Sequence, residues 1–220
     1  MRWEKTVQTA HDTFSIVLEV TSDSPLTVES VTIETVTVEA VTEKVGQLAD
    51  TELLRLRVTA AEGAPFFIER LALHWTVPAV DMHGMYFGGD PRAELGYLPF
   101  HTQDKVVAAH TGVPYLALVH RDGHNRAAYG LLGQLTETVL HSELSEITRC
   151  FHLRIEQPAG PPDSGRRIRA QGTWEETLFV SRAAAQWPQV LRCYAAHVAA
   201  ALPTQMPELA SAYVPVFCTW

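Results

Sequence analysis

The stretch FFIERLALHWTV, residues 66–77, alternates apolar and polar side chains along most of its length. This alternation is typical of a β-strand that buries one face and exposes the other. The same pattern recurs in FSIVLEV (14–20), VESVTIETVTVEAV (28–41) and ELLRLRVTA (52–60). The first third of the chain therefore predicts half-buried strands with the core on one face of each.

Strand-like segments resume after a glycine-rich interval. They are VPYLALVHR (113–121), AAYGLLG (127–133), LTETVLH (135–141), EITRCFHLRIEQ (146–157) and RIRAQGTWEETLFV (167–180). No helical pattern separates them, and turn residues such as Asp122-Gly123 lie between them. The sequence thus predicts a mainly β domain over residues 1–180, built as an antiparallel sandwich of two sheets.

The character of the sequence changes after residue 180. The Ala-rich segment 181–213 predicts a helical linker, with Ser181 as its N-cap and Pro188 in its first turn. An apolar stripe at helical spacing is formed by Val190, Leu191, Tyr194, Val198 and Leu202. Residues 214–220, VPVFCTW, read as one solitary apolar strand of the kind that is covered on both faces.

The composition limits the possible functions. Of 220 residues, 46% are hydrophobic, and the formal net charge of -8 provides no basic surface for nucleic acid. We predict no membrane span and no signal peptide, and hence a cytoplasmic protein. The three cysteines, Cys150, Cys193 and Cys218, are widely spaced and are expected to be reduced.

The C-terminal residues carry a family resemblance. YVPVFCTW (213–220), preceded by an Ala-rich helix and a long β-sandwich, resembles the junction in α-galactosidase-like glycoside hydrolases of the melibiase and raffinose-synthase clan. There, a galactose-mutarotase-like (super)sandwich leads into the first strand of a (β/α)8 barrel. The resemblance implies that this chain is an N-terminal fragment that ends at that first strand.

The resemblance also carries functional expectations. Retaining glycosidases of this kind use two carboxylates on later barrel strands, so we expect no catalytic residue and no glycosidase activity in this chain. Trp220 would end the first barrel strand and stack on a sugar ring. The expected partners are a galactoside-type oligosaccharide, bound by the full-length enzyme, and further copies of the chain in a homo-oligomer.

The most unusual stretch is MHGMYFGGDPRAELGYLPFH, residues 82–101, which combines four glycines with aromatic and polar side chains. We predict a long loop that contacts the substrate through His83, Tyr86, Phe87 and Asp90. The structural alternative is a turn whose aromatic side chains fill a corner of the core.

Two further functions remain open, a stand-alone carbohydrate-binding module and a mutarotase-like sugar isomerase. An isomerase needs a facing acid and base, for which Glu137 with His141 or Glu143 with His152 are available, although their neighbours resemble an ordinary exposed hairpin. Ten histidines show no metal-binding spacing, so we expect neither a metal nor any other cofactor. The Thr- and Glu-rich stretch 31–44 is interpreted as a solvated sheet face, with a subunit contact as the alternative.

Overall fold

The computed structural model describes residues 1–22, 28–37, 48–60, 63–80, 82, 84–87, 97–99, 106–110, 114–133, 138–145, 147–158 and 166–201. Only the backbone is described for 28–37, 85–87, 97–99 and 106–110. The elements are β1 Arg2–Gln8, β2 Thr13–Thr21, β3 Val28–Thr37, β4 Thr51–Ala60, β5 Pro65–Pro78, β6 Gly84–Phe87, β7 Tyr97–Pro99, β8 Val106–His110, β9 Tyr115–Val119, β10 Asn125–Leu131, β11 Val139–Ser145, β12 Cys150–Gln157, β13 Ile168–Gln171, β14 Thr173–Ser181 and α1 Trp187–Ala201.

The strands form two antiparallel layers. Sheet I has the order β3-β4-β14-β10-β9-β6-β7, and sheet II has the order β1-β2-β5-β12-β11-β8. The short β13 lies beside the first part of β5 and connects the two layers through one residue pair with β14, Gln171 with Thr173. The predicted antiparallel two-sheet sandwich followed by a helix is confirmed.

The main core fills the space between the layers. Alternate residues of β2, β4, β5, β10, β12 and β14 point inward, as period-two strands must when one face is buried. At its centre the rings of Phe14, Trp75 and Tyr129 pack together, with Trp75 and Tyr129 centroids 4.7 Å apart. The alternation in the stretch 66–77 therefore does predict which face is buried.

A second apolar cluster lies on the outer face of sheet I. The helix α1 covers Tyr115, Ala128 and Phe179 there, and buries its own Val190, Cys193 and Tyr194. Leu191 and Val198 pack against the same cluster, as predicted from their spacing, whereas Leu202 lies outside the described residues.

The predicted start of the helix was wrong. Ser181 is the last residue of β14 and is fully buried, where its hydroxyl lies 3.0 Å from that of Thr51. The helix begins at Trp187, with Pro188 in its first turn as expected, and the Gln189 side-chain oxygen accepts a hydrogen bond from the Gln186 N–H at 3.1 Å. Tertiary pairing of β14 with β4 outweighs the capping preference of a serine.

Two other expectations need correction. The stretch 167–180 is two strands, because Gly172, at φ +69°, turns the chain from sheet II into sheet I. The stretch 82–101 contains two paired strands, β6 and β7, and is therefore not one continuous loop. The strands β1 and β8 were not predicted. The part of the predicted helical linker after residue 201 and the predicted solitary strand (214–220) lie outside the described residues.

Candidate functional site

On the outer face of sheet II, cross-strand pairing brings polar side chains together. Ser15, His74, Arg154 and His141 follow one another in register across β2, β5, β12 and β11. These four residues are up to 139 positions apart in the sequence yet form one row, because side chains opposite each other in antiparallel strands share a face. We call this row and its polar neighbours the outer polar face.

The centre of the outer polar face is Glu156. Its carboxylate accepts a hydrogen bond from Arg70 at 2.6 Å, and Arg154 lies 3.4 Å away. Burial acts to raise the pKa of Glu156, but the hydrogen bond from Arg70 and the nearby positive charges outweigh it and lower the pKa below its ordinary value. Burial, followed by the charge of Arg154, lowers the pKa of His74. The outer polar face therefore holds an ionised carboxylate, that of Glu156, and a histidine, His74, that favours its neutral form.

A groove of about 370 Å³ opens beside this row. Six of its eight lining residues carry a hydroxyl or an imidazole group, namely Thr6, Thr13, Ser15, His74, Thr76 and His152. Next to it, Glu143 on β11 lies directly opposite His152 on β12. The two strands thus bring together one of the acid–base pairs considered from the sequence; for the other, Glu137 lies outside the described residues.

A second polar cluster is buried at the start of β2. Asp12 forms an ion pair with Arg182, and the Tyr129 hydroxyl donates a hydrogen bond to Asp12 at 3.1 Å. Arg182 also donates to the Tyr129 hydroxyl at 2.9 Å and to the Arg126 carbonyl at 3.2 Å. Burial and the Asp12 charge raise the pKa of Tyr129 well above its usual range. These groups satisfy one another, so the cluster ties the β1–β2 turn to the end of β14.

The residues predicted to contact substrate are mostly outside the described part of the chain. Trp220, Asp90 and His83 lie there. Tyr86 and Phe87 are on β6, where Tyr86 pairs with Tyr97 of β7 and both residues pair with β9. Sequence reasoning missed the row centred on His74 and Arg154, because only the strand register brings those residues together.

The described residues contain no group of three or more His, Cys, Asp or Glu side chains arranged to hold a metal ion. Cys150 and Cys193, the two cysteines in these segments, are free. No helix in the described segments is long and apolar enough to cross a membrane.

Comparison with known proteins adds structural relatives. No protein-family model and no curated protein matches the chain. Among solved structures, the chain is similar to the GH36 α-galactosidase AgaA from Geobacillus stearothermophilus in complex with raffinose, with 11% identity, a TM-score of 0.39, and 80% of this chain and 31% of that chain covered. An α-galactosidase from Lactobacillus brevis gives 11% identity, a TM-score of 0.39 and coverage of 82% and 30%.

These two structures are α-galactosidases, the class of protein that the C-terminal residues resemble in sequence. A putative aldose 1-epimerase from Klebsiella pneumoniae is also similar, with 11% identity, a TM-score of 0.47, and 87% of this chain and 56% of that chain covered. The chain spans less than a third of the length of the two α-galactosidase chains.

Proposed function

We propose that this chain acts as the non-catalytic N-terminal domain of a retaining, α-galactosidase-like glycoside hydrolase. In this proposal the sandwich, which ends with Ser181 of β14, supports the catalytic barrel, the segment from there to residue 213 forms the linker, and 214–220 form the first barrel strand. The observation that supports it best is the docking of α1 on sheet I, where Val190, Cys193 and Tyr194 are buried. A helix held in this way gives the chain a fixed path out of the sandwich.

The state of the buried carboxylates supports a non-catalytic role. Retaining hydrolysis needs two carboxyl groups facing one substrate about 5–5.5 Å apart. Within the described segments the buried carboxylates are Asp12, Glu52 and Glu176. Asp12 is paired with Arg182, Glu52 accepts from the Ala10 N–H, and Glu176 accepts from two backbone N–H groups. Each is already bonded within the fold.

Two measurements test this proposal. The purified 220-residue chain should release no p-nitrophenol from p-nitrophenyl α-galactoside, and turnover would contradict the non-catalytic role. The natural reading frame should continue past codon 220 into alternating strands and helices with carboxylates at strand ends. A stop codon at that point would contradict the N-terminal-domain assignment.

The proposal includes a contribution to the substrate pocket. The hairpin of β6 and β7 lies at the end of sheet I, where a segment can reach beyond the sandwich. We propose that the stretch 82–101 extends from it to the pocket rim, with His83, Tyr86, Phe87 and Asp90 in contact with a galactoside, and Trp220 at the barrel mouth. In the full-length enzyme, Asp90→Ala should raise KM for raffinose more than it lowers kcat. An unchanged KM would contradict the proposed contact between Asp90 and the substrate.

A mutarotase-like isomerase is the second candidate, because Glu143 and His152 face each other across β11 and β12 beside the groove. The isomerase would accelerate exchange between galactose anomers in an NMR exchange experiment, and Glu143→Gln and His152→Asn would each abolish the acceleration. The main proposal expects exchange at the rate of buffer alone.

A saturable change in tryptophan fluorescence with raffinose, without either activity, would instead favour a stand-alone carbohydrate-binding module.

A further inference from the structure

A polar cavity of about 320 Å³ lies where the end of β12, β13 and the first part of β14 meet. It is bordered by Gln157 at the end of β12, by β13, and by Trp174 and Glu176 on β14. β10 ends at Leu131, opposite Leu178 of β14. Two residues further along the chain, the Gly133 N–H donates a hydrogen bond to the side chain of Glu176.

Glu176 is held in place by the backbone. Only 3% of its surface is exposed, and its Oε1 accepts hydrogen bonds from the Gly133 N–H at 2.7 Å and from the Thr177 N–H at 2.9 Å. A Cβ added at Gly133 would lie 2.5 Å from both carboxylate oxygens, so glycine is needed for this close approach. The fold therefore holds the Glu176 carboxylate in a defined position.

Glu176 has no countercharge in the described segments, where no ion pair involves it. Burial raises its pKa to about 7 despite the two backbone hydrogen bonds. The neighbouring amide of Gln157, 1% exposed, donates to the Thr138 hydroxyl at 3.0 Å and also contacts Glu176 without adding charge.

The other charged residues that line the cavity are either ion-paired or exposed to solvent. Glu175 is paired with Arg55 at 3.0 Å and with Arg57 at 2.9 Å. Arg169 is exposed to solvent, where its charge is screened. The uncompensated charge is thus the buried carboxylate of Glu176, and a buried charge without a partner is costly.

We propose that this cavity binds a small organic ammonium ion, with its charge paired to Glu176 and its carbon chain against Trp174. Trp174 and Glu176 line the same cavity, and this combination suits such a ligand, because the face of an aromatic ring attracts a cation while a carboxylate neutralises it. A cavity of this size admits a compact amine, and its lining supplies hydrogen bond acceptors for the N–H groups. The inference does not depend on the hydrolase proposal, since it uses neither a catalytic carboxylate nor a barrel.

Ethylammonium chloride is a suitable probe, with ethanol as the neutral analogue of the same chain length and sodium chloride as the ionic-strength control. The backbone N–H signals of Gly133 and Thr177 report on the site directly, because both groups donate to Glu176. In 15N-resolved NMR spectra at pH 8, ethylammonium should shift both signals saturably. Half-saturation should fall in the millimolar range, since a ligand of three heavy atoms gains at most about 1.5 kcal/mol per atom.

Glu176→Gln keeps the size and the acceptor oxygen but removes the charge, and should weaken binding by at least about tenfold. Glu4→Gln, which removes an exposed carboxylate of β1, is the matched control and should bind like the wild type. The proposal is overturned by the absence of a saturable shift, by an equal response to ethanol, or by equal binding to the Glu176→Gln variant. The same spectra verify that each variant is folded.

Discussion

Two of the three buried carboxylates in the described segments, Asp12 and Glu176, differ in what surrounds them. Asp12 has a guanidinium partner in Arg182 and a hydroxyl donor in Tyr129, whereas Glu176 has backbone dipoles and an amide. Desolvation disfavours the charged form of both carboxylates, but only at Asp12 does an opposite charge offset that cost. Because of this difference, we expect loss of the Glu176 charge to stabilise the protein above neutral pH and loss of the Arg182 charge to destabilise it.

Glu176→Gln should make the protein more stable above neutral pH. The folded-state pKa of about 7 lies above the ordinary value of 4.5, so the stability that Glu176 contributes is present at low pH and lost as pH rises through 7. Between pH 5 and pH 8 the wild type should lose on the order of 2–3 kcal/mol relative to the variant. Urea unfolding of both proteins at the two pH values measures this. Glu4→Gln should retain the wild-type slope, and parallel pH profiles for Glu176→Gln and wild type would refute the prediction.

Arg182→Met should be strongly destabilising, because it leaves the Asp12 carboxylate buried without its charge partner. Loss of one partner of a buried pair costs about 3–5 kcal/mol. The double variant Asp12→Asn with Arg182→Met removes both charges and should recover a large part of that free energy. Equilibrium unfolding in urea gives both values. A cost for Arg182→Met below about 1 kcal/mol would show that the pair is solvated.

At the scale of elements, the contact between α1 and sheet I depends on one glycine. The Tyr194 ring lies over Gly130 of β10 and packs between Tyr115 and Phe179, with centroid distances of 4.8 Å and 5.6 Å. Its hydroxyl donates a hydrogen bond to the Leu131 carbonyl. A glycine inside a strand often marks a close approach by another element, so AAYGLLG does contain a signal for this contact.

Gly130→Ala should therefore loosen the helix from the sheet. The new Cβ would lie 2.4 Å from Cε2 of Tyr194, and overpacking of this kind costs about 1–3 kcal/mol. Tyr194→Leu should relieve the clash, so that the double variant is less destabilised than the sum of the two single variants. Circular dichroism with urea titration of all four proteins yields the coupling free energy. Additive effects would place the Tyr194 ring away from Gly130.

The local sequence pattern predicts the strands that bury one face. It fails where contacts between residues that are distant in the sequence determine the structure. The stretches 66–77 and 14–20 appear as β5 and β2 because alternation states their burial directly. The sequence predicts a loop where β6 lies because its glycine is a turn signal, whereas the pairing of β6 with β9 joins residues that are distant in the sequence. The row from Ser15 to His141 could not be predicted, because strand order and register are not written in any one segment.

At the scale of the whole molecule, sheet I belongs to two cores at once. Residues such as Tyr129 and Leu178 face the sandwich interior, while Tyr115 and Phe179 on the same strands or their neighbours face α1. A sheet buried on both faces has nearly continuous apolar strands, and all five residues of β9 are buried. The helix therefore covers apolar surface that the sandwich alone would leave in water.

Removal of the helix should convert that surface into an aggregation site. A chain that ends at residue 186 would expose Tyr115 and Phe179, and an apolar patch of this kind promotes association. Compared with a chain that ends at residue 201, it should bind more of the hydrophobic dye ANS, unfold at a lower temperature and self-associate in analytical ultracentrifugation. Both chains lack residues 202–220, so the comparison isolates α1. Equal melting temperatures and equal dye binding would mean that sheet I does not need the helix, and the support that helix docking gives to the domain proposal would be lost.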